Sequence, residues 1–462
     1  MKNRNRVSVF NMLSTCLLYG ISLFTAPLFS RLLGTDGYGA VANYTVWVSI
    51  LSTAATLQTY GTLAPARVEY PEEQQSAYHS SVMTLSLVCF ACVTVMTVLS
   101  LGPISRALDM QPLFLFLVLF QSIGTFGINF MNTKLTYEMK AGRNMLLSVG
   151  TSLATLALSL VLVLLLPGKL KYYGRIVAIA AVYGFLGLGM CLAVLRGGRT
   201  FYSAAYWKFC IPLAIPQVFY SLADLLLGHS DVVMLRQMVS QSTSGIYNMG
   251  YQLGAILFTL FGALNNSWVA FFFEDNKCGR REEVHRQSRN FLELFTVLGA
   301  GFVLLCREVY RLYARQDYWE ATGLVPLFAA SHYLTFLCTF PVNYEYYHKK
   351  MRLSAAATIV SSLVNILLNY LLISRIGMAG AAIATVLSHC LQFTMHTLYA
   401  RFFLGKQDYP FGIRLWGPYA LGFVLVLGLS YGLRGLPLLR WGLGAALGLW
   451  ELLRIRRRKA LI

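Results

Sequence analysis

The chain alternates long apolar runs with short polar connections along its whole length. The run from Met145 to Pro167 reads MLLSVGTSLATLALSLVLVLLLP. A helix that crosses the hydrocarbon core of a bilayer needs about 20 mostly apolar residues, whereas barrel strands run about 10 residues with alternating polarity. The pattern therefore predicts an all-α integral membrane protein. Its fourteen predicted helices lie near 8–30, 38–62, 79–102, 112–132, 145–167, 176–195, 209–234, 245–272, 289–306, 321–345, 354–374, 379–402, 415–433 and 437–453.

The composition agrees with a membrane environment. Of the 462 residues, 56% are hydrophobic and only 12% are charged, where soluble domains carry about 25% charged residues. The excess apolar surface must face lipid. The first apolar run is too long for the core of a signal peptide and has no convincing cleavage site, so we expect it to remain as the first span.

The formal net charge of +19 is distributed unevenly between the predicted loops. Alternate loops, counted from the N-terminus, carry more than twice as many Lys and Arg on one side as on the other. Since positive loops stay in the cytoplasm, this bias predicts a multi-pass protein of the cell membrane with both termini cytoplasmic. Two outer loops depart from the bias, with Lys169, Lys171 and Arg175 in one and Arg307, Arg311 and Arg315 in the other.

The basic tail, the cysteines and the absence of catalytic motifs argue against a nucleic-acid-binding protein, a metal or redox site, and an enzyme. The basic tail from Arg454 to Lys459 is expected to anchor to anionic headgroups rather than to bind nucleic acid. Cys89 and Cys92 form a lone CxxC in an apolar helix with no second pair, so we interpret them as small hydrophobes and expect no metal and no cofactor. The chain has no GxSxG, HExxH or Walker motif, which argues against an enzyme and against ATP hydrolysis.

The sequence contains signs of an internal duplication. A shift of 206 residues places Gly39 on Gly245 and Gly174 on Gly380, and a shift of 214 places Asn129 on Asn343. Parallel repeats of this kind enclose a substrate cavity near the membrane midplane. We therefore predict a six-helix lobe over 1–200, a second six-helix lobe over 201–404, and two additional helices with a basic cytoplasmic tail over 405–462.

Polar residues inside the predicted spans are the candidate site residues, because a charge at the bilayer centre costs about 2.5–3.5 kcal/mol. Asp224 and Asp231 are seven residues apart and share a helix face. Asp224 suits either a structural hydrogen bond or a cation or proton site facing the cavity. Arg31 precedes Gly34 and suits either the negative end of a helix dipole or the attraction of an anionic headgroup.

Other polar residues leave similar alternatives. Asn365 and Asn369 are four residues apart and suit either contacts between helices, at about 0.6 kcal/mol each, or substrate contacts. His389 and His396 are two turns apart and are candidates for proton handling. We expect the acidic residues near the span ends to form interfacial ion pairs, with Glu293 facing the basic loop before it and Glu345 facing Lys349 or Lys350.

Four segments resemble the polysaccharide and O-antigen flippases of the Wzx type, in the MOP exporter superfamily. They are SRLLGTDGYGAVANY from Ser30, the stretch from Ile215 to Gly254, YWEATGLVPLF from Tyr318, and the stretch from Asn365 to His389. The resemblance implies two six-helix lobes plus two helices. It also implies transport of undecaprenyl-pyrophosphate-linked oligosaccharide from the cytoplasmic to the outer leaflet by alternating access, with ion coupling as a further expectation.

This resemblance, together with the polar residues, sets the expected site and partners. The expected substrate-binding residues are Arg31, Asn43, Asn129, Asp224, Asn343, Asn365 and Asn369, and the expected ion-coupling residues are Asp224, Asp231 and His389. The expected partners are the lipid-linked oligosaccharide, membrane lipids, and a polysaccharide polymerase with other assembly proteins, around a monomeric chain. A multidrug or cation antiporter and a lipid II flippase of the same superfamily remain alternatives. A glycan polymerase or ligase is the enzyme alternative, and it would need a large outer loop that this sequence lacks.

Overall fold

The computed structural model describes residues 2–108, 110–348, 351–404 and 409–458. Within these ranges the regular structure is helical, as the apolar runs predict. The helices are α1 (Lys2–Ala55), α2 (Leu63–Glu69), α3 (Glu72–Leu99), α4 (Leu101–Leu108), α5 (Pro112–Tyr137), α6 (Ala141–Leu165), α7 (Lys171–Gly198), α8 (Ala204–Met238), α9 (Gln241–Lys277), α10 (Arg281–Tyr313), α11 (Val325–Tyr347), α12 (Met351–Tyr399), α13 (Ile413–Gly432) and α14 (Pro437–Arg458).

Two of these helices are each two helices joined at a glycine. α1 has 54 residues, and at about 1.5 Å per residue it is roughly twice too long for one crossing. It breaks at Gly34, whose φ of 68° and ψ of 178° lie outside the helical region. α12 breaks in the same way at Gly377, with φ of 57°. α2 and α4 are short, so the described residues form fourteen long helical segments that match the fourteen predicted spans.

Not every long helix is strongly apolar. Among the described residues, eight helices are long and apolar enough to cross a membrane, or nine if the bent pair Gly20–Ala55 and Thr59–Glu69 is counted as one span. α10 and α14 fall outside this group. Both carry buried charges within their length, including Glu293 and Arg440. A helix that carries paired charges has a lower mean hydropathy than one packed by hydrocarbon alone.

The charges of α10 and α14 pair with one another. Arg440 donates to the carboxylate of Glu308 and, over 2.9 Å, to the carbonyl oxygen of Leu304. Arg454 bonds Glu293 over 2.5 Å and also bonds Glu451. Such pairing removes most of the penalty of an isolated charge in a poorly hydrated site.

This network corrects one prediction from the sequence. The ion pair expected for Glu293 is present, and it includes Arg454 of α14, a partner that the sequence interpretation did not name. Arg454 was expected to anchor to headgroups, and for this residue the prediction is wrong, because its side chain is buried between two carboxylates. The helix continues past the predicted end at 453, which turns Arg454 toward α10. Lys459 lies outside the described residues.

The chain divides into two compact units, unit 1 over Met1–Gly245 and unit 2 over Ile246–Ile462. In unit 1, α5 and α7 meet through glycines. A methyl group added to Gly187 would lie 1.9 Å from the carbonyl oxygen of Gly124, and one added to Gly124 would lie 2.2 Å from that of Tyr183. Small residues at such an interface let two backbones approach closely.

Unit 2 is packed instead around aromatic rings. Trp268 stacks on Phe272 with ring centroids 5.1 Å apart, and Tyr333 stacks on Phe423 at 4.0 Å. These rings belong to one buried cluster that extends through α9, α10, α11 and α13. Aromatic pairs of this kind stabilise a core by about 0.5–1.5 kcal/mol beyond the burial of their area.

Candidate functional site

The two copies of the repeated phrase meet inside unit 1. A methyl group on Gly39 would lie 2.1 Å from the carbonyl oxygen of Gln241, and one on Gly245 would lie 2.2 Å from that of Thr35. Ser242 donates to the Thr35 hydroxyl over 2.7 Å. The glycines that the shift of 206 residues pairs in sequence are therefore in contact in space. Only a residue without a side chain fits at either position.

Asn43 lies close to this contact and joins three helices. Its side chain is fully buried, and its amide donates to the Ser244 hydroxyl over 3.0 Å and to the carbonyl oxygen of Val232 over 3.4 Å. Asp231 is also buried and accepts from the amide N–H of Val232 over 2.9 Å. Asn43 therefore links α1, α8 and the start of α9, and its predicted contact with substrate stays a prediction.

Three of the predicted residues are exposed on membrane helices of unit 1, namely Arg31, Asn129 and Asp224. Arg31 lies in the last turn before the break at Gly34, as expected for a cation at the end of a helix. Asp224 shares a helix face with Asp231 but is exposed, whereas Asp231 is buried beside Val232, whose carbonyl oxygen accepts from Asn43 of α1 and Ser244 of α9. Exposed polar groups on such helices need water or a polar ligand.

Arg175 is a cation of unit 1 that the sequence interpretation placed in an outer loop. α7 begins at Lys171, so Arg175 lies in the second turn of that helix. Its guanidinium donates to the Ser159 hydroxyl over 2.5 Å and lies 3.9 Å from the centre of the Phe29 ring. Such a cation–π contact orients the charge. The sequence interpretation missed this position because the predicted span began at 176, five residues after the helix begins and one residue after Arg175.

The predicted residues of unit 2 are mostly bonded to protein groups. Asn365 and Asn369 are fully buried, and the amide of Asn369 donates to the Asn365 side-chain oxygen over 3.0 Å. Their predicted proximity on one helix face is confirmed. Asn343 is half-buried and donates to the carbonyl oxygen of Thr339, one turn earlier, over 2.8 Å. His389 is half-buried, with Nδ1 3.3 Å from the Gln392 side-chain oxygen.

A buried carboxylate–imidazole pair joins α11 to α12. His396 Nδ1 lies 2.9 Å and 3.1 Å from the two carboxylate oxygens of Glu345, and both side chains are almost fully buried. Glu345 was expected to pair with Lys349 or Lys350, which lie outside the described residues. The pair was missed because its members are 51 positions apart, so no local spacing reveals it.

The predicted site residues thus fall into two groups. Arg31, Asn43, Asn129, Asp224 and Asp231 belong to unit 1, and Asn343, Asn365, Asn369 and His389 belong to unit 2. Direct bonds join Asn365 to Asn369, and Asn43 contacts the residue next to Asp231. Among the described residues no group of three His, Cys, Asp or Glu side chains could hold a metal ion. The side chains of both groups offer hydrogen-bonding and charged atoms rather than metal ligands.

Solved structures share this architecture across nearly the whole chain. An inward-facing multidrug resistance MATE transporter of the MOP superfamily matches with a TM-score of 0.65 at 13% identity, covering 86% of this chain and 96% of that one. The lipid II flippase MurJ, in an inward closed conformation, also matches with a TM-score of 0.65, at 12% identity, over 98% of this chain and 99% of that one. The eukaryotic MATE transporter AtDTX14 matches with a TM-score of 0.55 at 16% identity, covering 90% and 95%.

Comparison of the sequence with known proteins identifies a relative and a family. An uncharacterized membrane protein of Haemophilus influenzae is 23% identical over 154 residues, which span 31% of this chain and 38% of that protein. The family described as "Polysaccharide biosynthesis protein" matches residues 6–271, more than half of the chain. The structural matches are transporters and a flippase rather than enzymes. The chain therefore belongs to the polysaccharide biosynthesis protein family and has the multi-pass membrane fold of the MOP-superfamily transporters.

Proposed function

We propose that this protein moves undecaprenyl-pyrophosphate-linked oligosaccharide from the cytoplasmic to the outer leaflet of the cell membrane by alternating access. The observation that carries the proposal is the family match over residues 6–271 in a chain whose fold follows a lipid flippase over 98% of its length. The family description supports a role in polysaccharide biosynthesis, and the likeness of the fold to a lipid flippase supports transport across the membrane.

The physical need for such a protein follows from the substrate. Burying one unpaired hydroxyl in hydrocarbon costs about 2–7 kcal/mol, so a sugar head with many hydroxyls crosses unaided only very slowly. A transporter that offers hydrogen bonds and charges along the path removes most of this cost. The apolar tail of the substrate can meanwhile remain in the bilayer.

Cations of unit 1 are the proposed contacts for the pyrophosphate. Arg31 is exposed, and Arg175 is held between Ser159 and the Phe29 ring. Arginine suits phosphate because its planar guanidinium presents several donors in a fixed fork. Exposed Asn129 and half-buried Asn343 are proposed contacts for sugar hydroxyls.

Asp224 is the proposed ion-coupling residue. It is an exposed carboxylate on α8, one of the helices apolar enough to span a membrane. An acidic group in that setting takes up a proton or a cation readily when the surroundings become drier. Asp231 and His389 are further candidates for the same role, although both already contact protein groups.

The test is a leaflet-accessibility assay in proteoliposomes with defined lipid-linked oligosaccharides, with and without ion gradients. We expect wild type to expose the sugar head on the opposite leaflet, and Arg31→Ala and Asp224→Asn each to slow this at least tenfold. Arg106→Ala and Asp317→Asn, both at exposed positions on short connecting segments, serve as matched controls that keep the wild-type rate. Wild type that moves no oligosaccharide under any gradient contradicts the proposal.

Lipid II is a second candidate substrate, because the fold follows the lipid II flippase over almost all of both chains. A parallel assay with lipid II separates the two substrates directly. Movement of lipid II but not of undecaprenyl-linked oligosaccharide would reassign the function. Proton-driven efflux of an organic cation in the same vesicles would favour the antiporter alternative instead.

A further inference from the structure

Unit 2 contains a large open pocket where α9 ends, α10 begins and α11 ends. Its volume is about 700 Å³, which is within the range of about 300–1,000 Å³ usual for small-ligand sites. We call it the arginine pocket, and its defining residues are Arg281, His285, Arg286, Arg289, Tyr347 and Tyr409. None of its defining residues is among the predicted site residues, and the proposal below does not depend on the proposed function.

The basic side chains of the pocket come from one stripe of α10. Arg281, His285 and Arg289 follow one another at intervals of four residues, which places them one above the other on a helix. Arg286 lies beside them, and all four side chains are exposed. Three guanidinium groups therefore reach the same opening within the first turns of the helix.

Neighbouring groups orient Arg286 and Arg289 without using up their donors. Arg286 bonds the Glu283 carboxylate over 2.5 Å, and Arg289 lies 3.4 Å from the Tyr419 hydroxyl. Each guanidinium has five N–H donors in a fixed fork, so several remain available. Glu282 is the one carboxylate among the described lining residues. The pocket therefore stays positive and rich in donors.

The opposite wall is aromatic. Tyr344, Tyr347 and Tyr409 line the pocket together with His348. The Tyr344 ring lies 4.4 Å from that of His348 and 5.2 Å from that of Tyr409, measured between centroids. Tyrosine is enriched where protein meets the headgroup region of a bilayer. A ligand with an anionic group and a less polar body would match both walls.

Unit 1 has a pocket at the corresponding place, and the two pockets differ in how many carboxylates lie among their cations. That pocket, of about 480 Å³, is lined by Arg67, Lys134 and Lys140 together with Glu72 and Glu138. Its His79 corresponds to His285 at the shift of 206 residues that defines the duplication.

The cations of the unit 1 pocket are already engaged. Glu138 bonds Lys140 over 2.6 Å and lies 3.8 Å from Lys134, and Arg67 donates to the carbonyl oxygen of Tyr137. An anion entering this pocket would compete with a carboxylate that already holds two lysines. In unit 2 the carboxylate of Glu283 bonds Arg286, whereas the guanidinium of Arg289 lies against a neutral hydroxyl, that of Tyr419.

We propose that the arginine pocket binds the phosphate group of an anionic ligand, with the guanidinium forks of α10 on the phosphate oxygens and the tyrosine wall against the remainder of the molecule. Charge-assisted bonds from guanidinium to phosphate are the strongest donor contacts that side chains offer. The phosphate can belong to the headgroup of an anionic phospholipid or to a free phosphorylated molecule, and the experiment below separates these sources.

The test uses the full-length protein in detergent, with binding read by native mass spectrometry. The probes are short-chain phosphatidylglycerol, phosphatidylcholine of the same chain length, and inorganic pyrophosphate as competitor. We expect wild type to retain phosphatidylglycerol at least tenfold better than phosphatidylcholine. The variant Arg286→Gln/Arg289→Gln should lose this preference, since both side chains are exposed and their removal leaves the core intact.

Lys134→Gln/Lys140→Gln in the unit 1 pocket is the matched control and should keep the preference. Displacement by pyrophosphate assigns the site to phosphate chemistry in general, and resistance to it assigns the site to a lipid headgroup; both support the proposal. Equal retention of the two lipids with no binding of pyrophosphate by wild type, or unchanged binding in the double variant, overturns it. If the double variant fails to fold, Arg281→Gln alone provides the same readout.

Discussion

In unit 1, α5 and α7 approach through Gly124 and Gly187 with no side chain between them, whereas in unit 2 the helices meet through stacked rings and buried ion pairs. A glycine contact is set by two backbones, neither of which can move without moving a whole helix. A ring or a charged side chain can rotate, but a charge cannot lose its partner cheaply. Unit 1 should therefore be sensitive to added atoms, and unit 2 to removed charges.

The largest effect should follow from breaking the charge network of unit 2. Arg454→Met removes a cation that bonds the buried carboxylates of Glu293 and Glu451, which we expect to destabilise the protein by about 3–5 kcal/mol. Thermal unfolding in detergent measures the loss. Arg456→Met, at an exposed position of the same helix, should change little. Adding Glu293→Gln to Arg454→Met should restore part of the stability, and no restoration would argue against a charge effect.

The second-largest effect should come from replacing a buried glycine by alanine, and its cost in stability can be compared between the two units. Gly187→Ala in unit 1 forces α5 and α7 apart, since the new methyl group would lie 1.9 Å from a backbone oxygen; we expect a loss of about 1–3 kcal/mol. Gly299→Ala in unit 2 meets two side chains and no backbone atom: the edge of the Phe423 ring at 3.0 Å and Leu257 at an ordinary 3.6 Å. A side chain can shift by a few tenths of an ångström more easily than a helix backbone. The cost of Gly299→Ala should be clearly smaller in the same unfolding measurement. Equal costs would show that the two interfaces do not differ as described.

The smallest effect concerns a charged group at the end of α5, outside the membrane span. Burial raises the pKa of Glu138, but the hydrogen bond from Lys140 and the charges of Lys134 and Lys140 outweigh this and hold the pKa below its ordinary value of 4.5. Since the pKa is depressed by folding, the carboxylate stabilises the protein above the pKa of the unfolded chain, and this contribution disappears as pH falls through the folded pKa.

Wild type should therefore exceed Glu138→Gln by about 0.2–1 kcal/mol near neutral pH. The two proteins should become equally stable in acid well below the ordinary pKa of 4.5. Unfolding of both across the acid range checks the sign, with Glu320→Gln as a control at an exposed position. A stability difference between wild type and Glu138→Gln that grows toward acid would contradict a depressed pKa for Glu138.

Much of the fold was predictable because its determinants are local. The length of each apolar run predicts a membrane helix, and all fourteen predicted spans correspond to long helical segments. The bond between Asn365 and Asn369 was equally accessible, since helix pitch alone brings them together. Glu345 and His396, by contrast, meet only after two helices pack, and no property of either segment indicates its partner.

Errors in the predicted helix boundaries account for the remaining differences between the sequence interpretation and the structure. Arg175 and Arg454 each lie within a turn of a predicted helix end, and a shift of a few residues moves such a side chain from a loop to a packed face. The consequence is larger for charged residues than for apolar ones. A misplaced Leu remains in lipid or core, while a misplaced Arg changes from a solvated anchor into one partner of a buried ion pair.

The contact between Gly39 and Gly245 carries a consequence for the history of the chain. Under the predicted duplication these two glycines are equivalent residues, and equivalent residues touch each other at the interface of a symmetric homodimer. Under the predicted duplication, a half-length ancestor would have associated with a second copy of itself through this glycine, with one gene encoding both sides. Fusion would then have freed the two sides to diverge, as the different residues Thr35 and Gln241 at equivalent positions would reflect.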